Sequence, residues 1–190
     1  MNHEHVRTSL ASLCKNIASP LQPIHSAAAK ELHGDLLLPD DILALVGVFG
    51  SGNFCIGTDD GFDLEVFNPF APDYSAKISR ELGTLNQLKE IEGEQYIPYP
   101  IHPMQPGLLP WGWADGRKGF YWYTDGKPND WTVIVMYDIE IVTPFRMSML
   151  EFLRSLLCGE LDCSFIGGVS TSDNRIASDL VHFRPFVPPG

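Results

Sequence analysis

Two short motifs of acyl-serine enzymes occur at opposite ends of the chain. Ser12-Leu13-Cys14-Lys15 has the Ser-x-x-Lys spacing, and Ser172-Asp173-Asn174 matches the second motif of the same enzymes. Their third motif, Lys-Thr-Gly, does not occur in the sequence. Because all three motifs must meet to form such a site, we interpret these two matches as coincidental and predict that the protein is not an enzyme.

Candidate metal ligands are present, but their spacing is poor. His3 and His5 flank Glu4 near the N-terminus without a further ligand pattern. Residues 59–65 (Asp-Asp-Gly-Phe-Asp-Leu-Glu) differ from a calcium-binding EF-hand loop in ligand spacing and glycine position, so a polar hairpin is the better interpretation. The four cysteines form no C-x-x-C pair. We therefore predict no metal and no cofactor.

Acidic charge is concentrated in one part of the chain. The formal net charge is −11, and residues 31–76 contain nine acidic residues without a lysine or arginine. A nucleic-acid-binding protein needs a basic surface to displace counterions from phosphate, and an anionic membrane surface also favours basic segments. We therefore predict no direct nucleic-acid or membrane partner. A basic protein partner fits this charge, although the acidity also fits a role in solubility alone.

Aromatic residues provide a second candidate for partner recognition. Trp111 and Trp113 lie two residues apart, and tryptophan and tyrosine are typical anchors of protein interfaces. The alternative is that these rings pack in the core, as we expect for Trp122 and Trp131. The tyrosines near Trp111 and Trp113 that share this ambiguity are Tyr99, Tyr121 and Tyr123.

The elements that must position these residues follow from hydrophobic periodicity. Apolar residues spaced three or four apart predict helices, and apolar residues that alternate predict strands. The predicted helices cover about residues 6–17, 26–32, 40–48, 73–92 and 149–157. The predicted strands cover 54–58, 63–67, 119–124, 131–137 and 139–143, with an edge strand near 180–186 and an irregular stretch at 98–110. Helices that flank a mostly antiparallel sheet give an α+β fold.

The length of 190 residues predicts a single domain over residues 1–190. The N-terminus lacks the basic and apolar stretches of a secretory signal, and no apolar run approaches the roughly 18 residues of a membrane span. We therefore expect a soluble protein of the reducing cytoplasm.

Three segments, in order, resemble the SUKH superfamily, which contains the yeast Smi/Knr cell-wall regulator and many bacterial immunity proteins. The first is Leu38-Pro39, a short helix, and Phe49-Gly50-Ser51-Gly52-Asn53-Phe54. The second is Gly107-Leu108-Leu109-Pro110-Trp111-Gly112, followed by Asp115-Gly116 and Phe120-Tyr121-Trp122. The third is residues 145–160, which are similar to the closing helix of the family. The resemblance covers about residues 25–162, with an N-terminal helical extension and a C-terminal tail outside it.

The resemblance implies a SUKH-like fold and a binding protein without catalytic residues. Bacterial members bind and neutralise a cognate toxin, often a nuclease or a deaminase. The alternative is a regulatory or scaffolding module of the Smi/Knr type with a different protein partner. With the charge and aromatic arguments, the predicted partner-binding residues are Asp59, Asp60, Asp63, Glu65, Trp111, Trp113 and Asp115.

Overall fold

The computed structural model describes residues 3–17, 37–56, 62–114, 118–138, 140–141, 144–162 and 181–186. The helices in these ranges are α1 (His3–Asn16), α2 (Asp40–Phe49), α3 (Tyr74–Glu92) and α4 (Met149–Leu157). The strands are β1 (Gly52–Ile56), β2 (Phe62–Val66), β3 (Leu108–Ala114), β4 (Lys118–Tyr123), β5 (Thr132–Tyr137), β6 (Glu140–Ile141) and β7 (Val181–Pro185). A short 3-10 helix, Pro128–Asp130, lies between β4 and β5.

The described strands form one antiparallel sheet in the order β6-β5-β4-β3-β2-β1-β7. With the flanking helices, this sheet confirms the α+β class. The four predicted sheet segments at 54–58, 63–67, 119–124 and 131–137 correspond to β1, β2, β4 and β5, with ends displaced by one or two residues. The predicted edge strand near residue 180 corresponds to β7. The predicted helix at 26–32 lies outside the described residues.

Strand β3 is the main difference from the sequence prediction, because Leu108 begins a strand inside the stretch predicted to be irregular. A proline inside a strand normally argues against that assignment, since it cannot donate a ladder hydrogen bond. Here the register between β3 and β4 shifts between Pro110 and Gly112, which places the proline at a bulge. Gly112 also allows close approach to β2, because a Cβ at this position would lie 2.6 Å from the Glu65 carbonyl oxygen.

Local signals set the ends of the helices that cover the sheet. Gly50 caps the C-terminus of α2, since its φ of 73° suits glycine and its N–H donates to the Val46 carbonyl at 2.8 Å. Ser148 caps the N-terminus of α4, where its hydroxyl accepts a hydrogen bond from the Glu151 N–H at 3.2 Å. These caps fix where each helix meets the strand beside it.

Helices cover one face of the sheet and part of the other face. Helices α1, α2 and α4 pack with the apolar side chains of one face, where Leu13, Trp111 and Phe152 are completely buried. Helix α3 and the segment after it cover β3, β4 and β5 on the other face, where Leu85 and Leu108 are also completely buried. The second face of β1, β2 and β7 instead carries polar side chains, which include both described acidic candidates, Asp63 and Glu65.

None of the helices within the described ranges combines the length and the apolar composition needed to cross a membrane.

Candidate functional site

Glu65 lies on β2, where strand alternation turns it away from the buried Leu64 and Val66. One carboxylate oxygen accepts a hydrogen bond from the Trp113 indole N–H at 2.9 Å, and the other is 2.5 Å from the Lys77 ammonium. The Glu65 side chain is only 12% exposed. Glu65 is therefore held by a cation and a donor of its own chain rather than presented to solvent.

Lys77 connects this strand to α3. Its ammonium also lies 2.9 Å from the Asp73 carboxylate. Burial works against the charged amine, but hydrogen bonds and ion pairs with Asp73 and Glu65 hold the pKa of Lys77 above its usual value. The three side chains form an ion-pair network that binds the N-terminal part of α3 to the sheet.

Asp63 is also paired within the chain. Its carboxylate accepts a hydrogen bond from the Asn53 side-chain amide at 3.2 Å and forms a salt bridge with Arg184 of β7. Asp63 is 31% exposed and Arg184 is 58% exposed, so this pair is wetter than the one at Glu65. Together, the pairs join β2 to β1, β3 and β7 and leave neither carboxylate without a cation.

Cys55, Asp63 and His182 are register neighbours on β1, β2 and β7, and their residue types suggest a nucleophile with an acid and a base. The environment of the thiol argues against that chemistry. Burial, a hydrogen bond to Asp63 and the charge of Asp63 raise the pKa of the Cys55 thiol to about 11, with Arg184 opposing them. A nucleophilic cysteine needs a lowered pKa, because the thiolate is the reactive species.

The two candidate tryptophans lie in different environments. Trp111 is completely buried and packs against Phe120 and Phe152, with ring centroids 5.2 and 6.2 Å away. It therefore takes the core role that the sequence left open and is not available to a partner in this structure. Trp113 is partly exposed and bound to Glu65. The remaining predicted site residues, Asp59, Asp60 and Asp115, lie outside the described residues.

An open cleft that the sequence analysis did not identify lies beside β4 and β5. It has a volume of about 700 Å³ and lies between the β4–β5 connection, the start of α4 and Tyr99. The Tyr99 and Tyr123 rings pack with centroids 5.0 Å apart at one side. Its charged lining residues are Asp125, Asp130, Glu151 and Arg146.

The cleft could not be predicted from the sequence, because it depends on contacts between segments that are apart along the chain. Residues 125–128 lie between the predicted strands at 119–124 and 131–137, and they form part of the connection between β4 and β5. Residues 144–148 complete the cleft by running back beside β5, where the Val133 and Phe145 backbones exchange hydrogen bonds of 3.1 and 2.8 Å. The available signal was a pair of aspartates, Asp125 and Asp130, in the connection that follows the strand ending at Tyr123.

One further carboxylate has a structural role. Asp41 is 1% exposed, and its Oδ2 accepts a hydrogen bond from the Leu150 N–H, in the first turn of α4, at 3.0 Å. Burial raises the pKa of Asp41, although hydrogen bonds from Leu150, Ile42, Ser148 and Met149 oppose that shift. The side chain therefore caps α4 from α2.

Within the described ranges, no three His, Cys, Asp or Glu side chains lie close enough together to hold a metal ion. Compared with known protein families, curated proteins and solved structures, the chain matches none of them.

Proposed function

We propose that this protein is a non-catalytic binding protein of the SUKH type that binds and neutralises a cognate toxin in the cytoplasm. The toxin domain is basic, as expected of a nuclease or another enzyme that acts on nucleic acid. An acidic antidote accelerates its own association with such a surface, because complementary charge steers diffusional encounter.

The observation that carries this proposal is the direct contact between the three segments that resemble the family. The first segment contacts the third through the hydrogen bond from the Leu150 N–H to Asp41. The second contacts the third where Trp111 and Phe120 pack against Phe152. Segments that come from distant parts of the chain thus share one core, as expected if they specify one family-like fold.

Charge supports the choice of partner. The chain carries 24 acidic residues against 13 basic residues, so a basic protein surface is favoured over phosphate or an anionic membrane. Because Asp63 and Glu65 are paired within the chain, we assign them to the fold and not to the toxin contact. The sequence analysis instead predicted that both residues bind the partner.

The test uses the protein domain encoded by the reading frame immediately upstream of this one. We expect the full chain to restore growth to bacteria that express this domain and to purify with it as a stable complex. Leu153→Asp, which places a charge at a completely buried position of α4, is the control and should lose both effects.

Unrestored growth together with no complex would contradict the proposal. A stable complex with a non-toxic cytoplasmic protein, with no effect on the upstream domain, would favour the regulatory or scaffolding alternative.

A further inference from the structure

The cleft between the β4–β5 connection and the start of α4 is built on well-anchored elements. The Asn129 side chain donates to the Asp40 carboxylate and accepts from the Asp40 N–H, both at 2.8 Å. The Trp131 indole N–H donates to the Gly126 carbonyl at 3.4 Å, across the same connection. This wall is therefore held in place before any ligand arrives, which reduces the entropic cost of binding.

The opposite wall is held by the sheet edge and by a helix cap. Phe145 is fixed to β5 by its two backbone hydrogen bonds with Val133, and Ser148 caps α4. Arg146 and Glu151 lie on this wall. The volume of about 700 Å³ is within the range of roughly 300–1,000 Å³ that is usual for ligand sites.

The charges of the cleft favour a cation. Asp125 and Asp130 are exposed, and among the described residues neither carboxylate forms an ion pair. The lining also contains Glu151 and the guanidinium of Arg146. Asp125 and Asp130 thus differ from Asp63 and Glu65 on β2, each of which has its own cation.

The aromatic side of the cleft narrows the choice of cation. Tyr99 and Tyr123 are partly exposed and line the same cleft as the carboxylates. A guanidinium stacks on an aromatic face and binds a carboxylate with two parallel hydrogen bonds, whereas an ammonium is a more strongly hydrated point charge. The combination of tyrosine rings with carboxylates therefore fits arginine better than lysine.

We propose that this cleft binds an arginine-bearing segment of a protein partner. The inference rests on the proposed protein-binding function and names the chemistry that the partner presents. Asp125 and Asp130 pair with the guanidinium, the tyrosine rings contact its planar face, and Arg146 weakens the attraction by like-charge repulsion.

The experiment measures the binding of a fluorescein-labelled peptide of Gly-Ser-Arg repeats to the full chain by fluorescence anisotropy at low ionic strength. We expect Asp125→Asn with Asp130→Asn to weaken binding about tenfold, because two ion pairs are lost where salt screens little. The control is Glu90→Gln with Glu92→Gln, which removes the same charge from residues that do not line the cleft. It should change affinity less than about twofold.

Two further measurements make the result specific. Arg146→Gln should tighten binding about threefold, a gain that a misfolded variant cannot imitate. A peptide with lysine in place of arginine should bind about threefold or more weakly to the wild-type chain, because it lacks the planar, bidentate group.

Equal losses in the cleft variant and the control variant would overturn the proposal, since binding would then follow net charge alone. Equal affinity for the arginine and lysine peptides would contradict the preference of the cleft for a guanidinium over an ammonium. A sedimentation coefficient that rises with protein concentration for the wild type, but not for the cleft variant, would instead show that a second copy of the chain occupies the cleft. None of these readouts involves the toxin, so failure of the proposed function leaves the peptide result standing, and the reverse also holds.

Discussion

Two groups of carboxylates in this protein are similar in chemistry and opposite in environment. On β2, Glu65 is bound to Lys77 and Trp113, and Asp63 is bound to Arg184 and Asn53. In the cleft, Asp125 and Asp130 are exposed and form no ion pair with any described residue. A cluster of acidic residues in the sequence therefore does not by itself locate a binding surface. Carboxylates that pair with cations of their own chain stabilise the fold instead.

The largest expected effect on stability is at Glu65. Glu65→Lys removes the acceptor of the Trp113 N–H and places an ammonium beside that of Lys77, in a site where both side chains are largely buried. We expect the free energy of unfolding to fall by about 2–3 kcal/mol, measured by urea denaturation. The matched cleft variant, Asp130→Lys, should change it by less than about 0.5 kcal/mol. Similar losses in both variants would remove the distinction between the two groups.

Asp41 extends the comparison to a carboxylate that is almost completely buried. Asp41→Ala leaves the Leu150 N–H without its acceptor, so we expect a loss of about 1–2 kcal/mol in unfolding free energy. Thermal unfolding of this variant beside Glu90→Ala provides the check, because Glu90 is an exposed carboxylate of α3. If Glu90→Ala is the more damaging change, Asp41 is not the cap described above.

The pH dependence of Asp41 can be isolated with Asp41→Asn, which retains an acceptor but does not titrate. The pKa of Asp41 is raised by burial from 3.8, so the folded protein keeps this proton at pH values where the unfolded chain has lost it. The wild type should therefore lose stability relative to Asp41→Asn as pH rises from about 4 through the raised pKa. Denaturation midpoints of both proteins across that range test the sign. A relative gain by the wild type would contradict it.

The smallest expected effect is at the wetter pair on β2. Arg184→Ala removes a cation that is 58% exposed from Asp63, and exposed pairs contribute little. We expect a loss of about 0.5 kcal/mol that shrinks further in high salt. Denaturation at two ionic strengths measures it. If Arg184→Ala lowers the unfolding free energy as much as Glu65→Lys does, burial does not determine which of the two β2 carboxylates contributes more to stability.

The sequence predicts much of the fold because the signals for its elements are local. Apolar periodicity locates α1, α2, α3 and α4 within a few residues, and alternation locates β1, β2, β4 and β5. Strand β3 was missed because a proline argues against a strand, and only the bulge formed with β4 accommodates Pro110.

The candidate site was less predictable because it depends on which distant residues meet. The pairing of Glu65 with Lys77 requires α3 to turn back over β2, and that of Asp63 with Arg184 requires β7 to join the sheet edge. Likewise, Trp111 and Trp113 are two residues apart, but Trp111 lies in the bulge between Pro110 and Gly112 and is in the core, whereas Trp113 lies beside Glu65. These contacts cannot be predicted from residue type and spacing along the chain.

The central claim is that the cleft carboxylates serve partner binding and the β2 carboxylates serve the fold. Stopped-flow association with the protein domain encoded by the reading frame immediately upstream, at several salt concentrations, tests it most directly. We expect Asp125→Asn with Asp130→Asn to keep the stability of the wild type and to slow association about tenfold at low salt, with the difference vanishing at high salt. Arg184→Ala with Asp63→Asn, which replaces the β2 pair without changing net charge, should leave the association rate unchanged. The reverse result, with the cleft variant at the wild-type rate and the β2 variant slowed while both remain folded, would contradict the account.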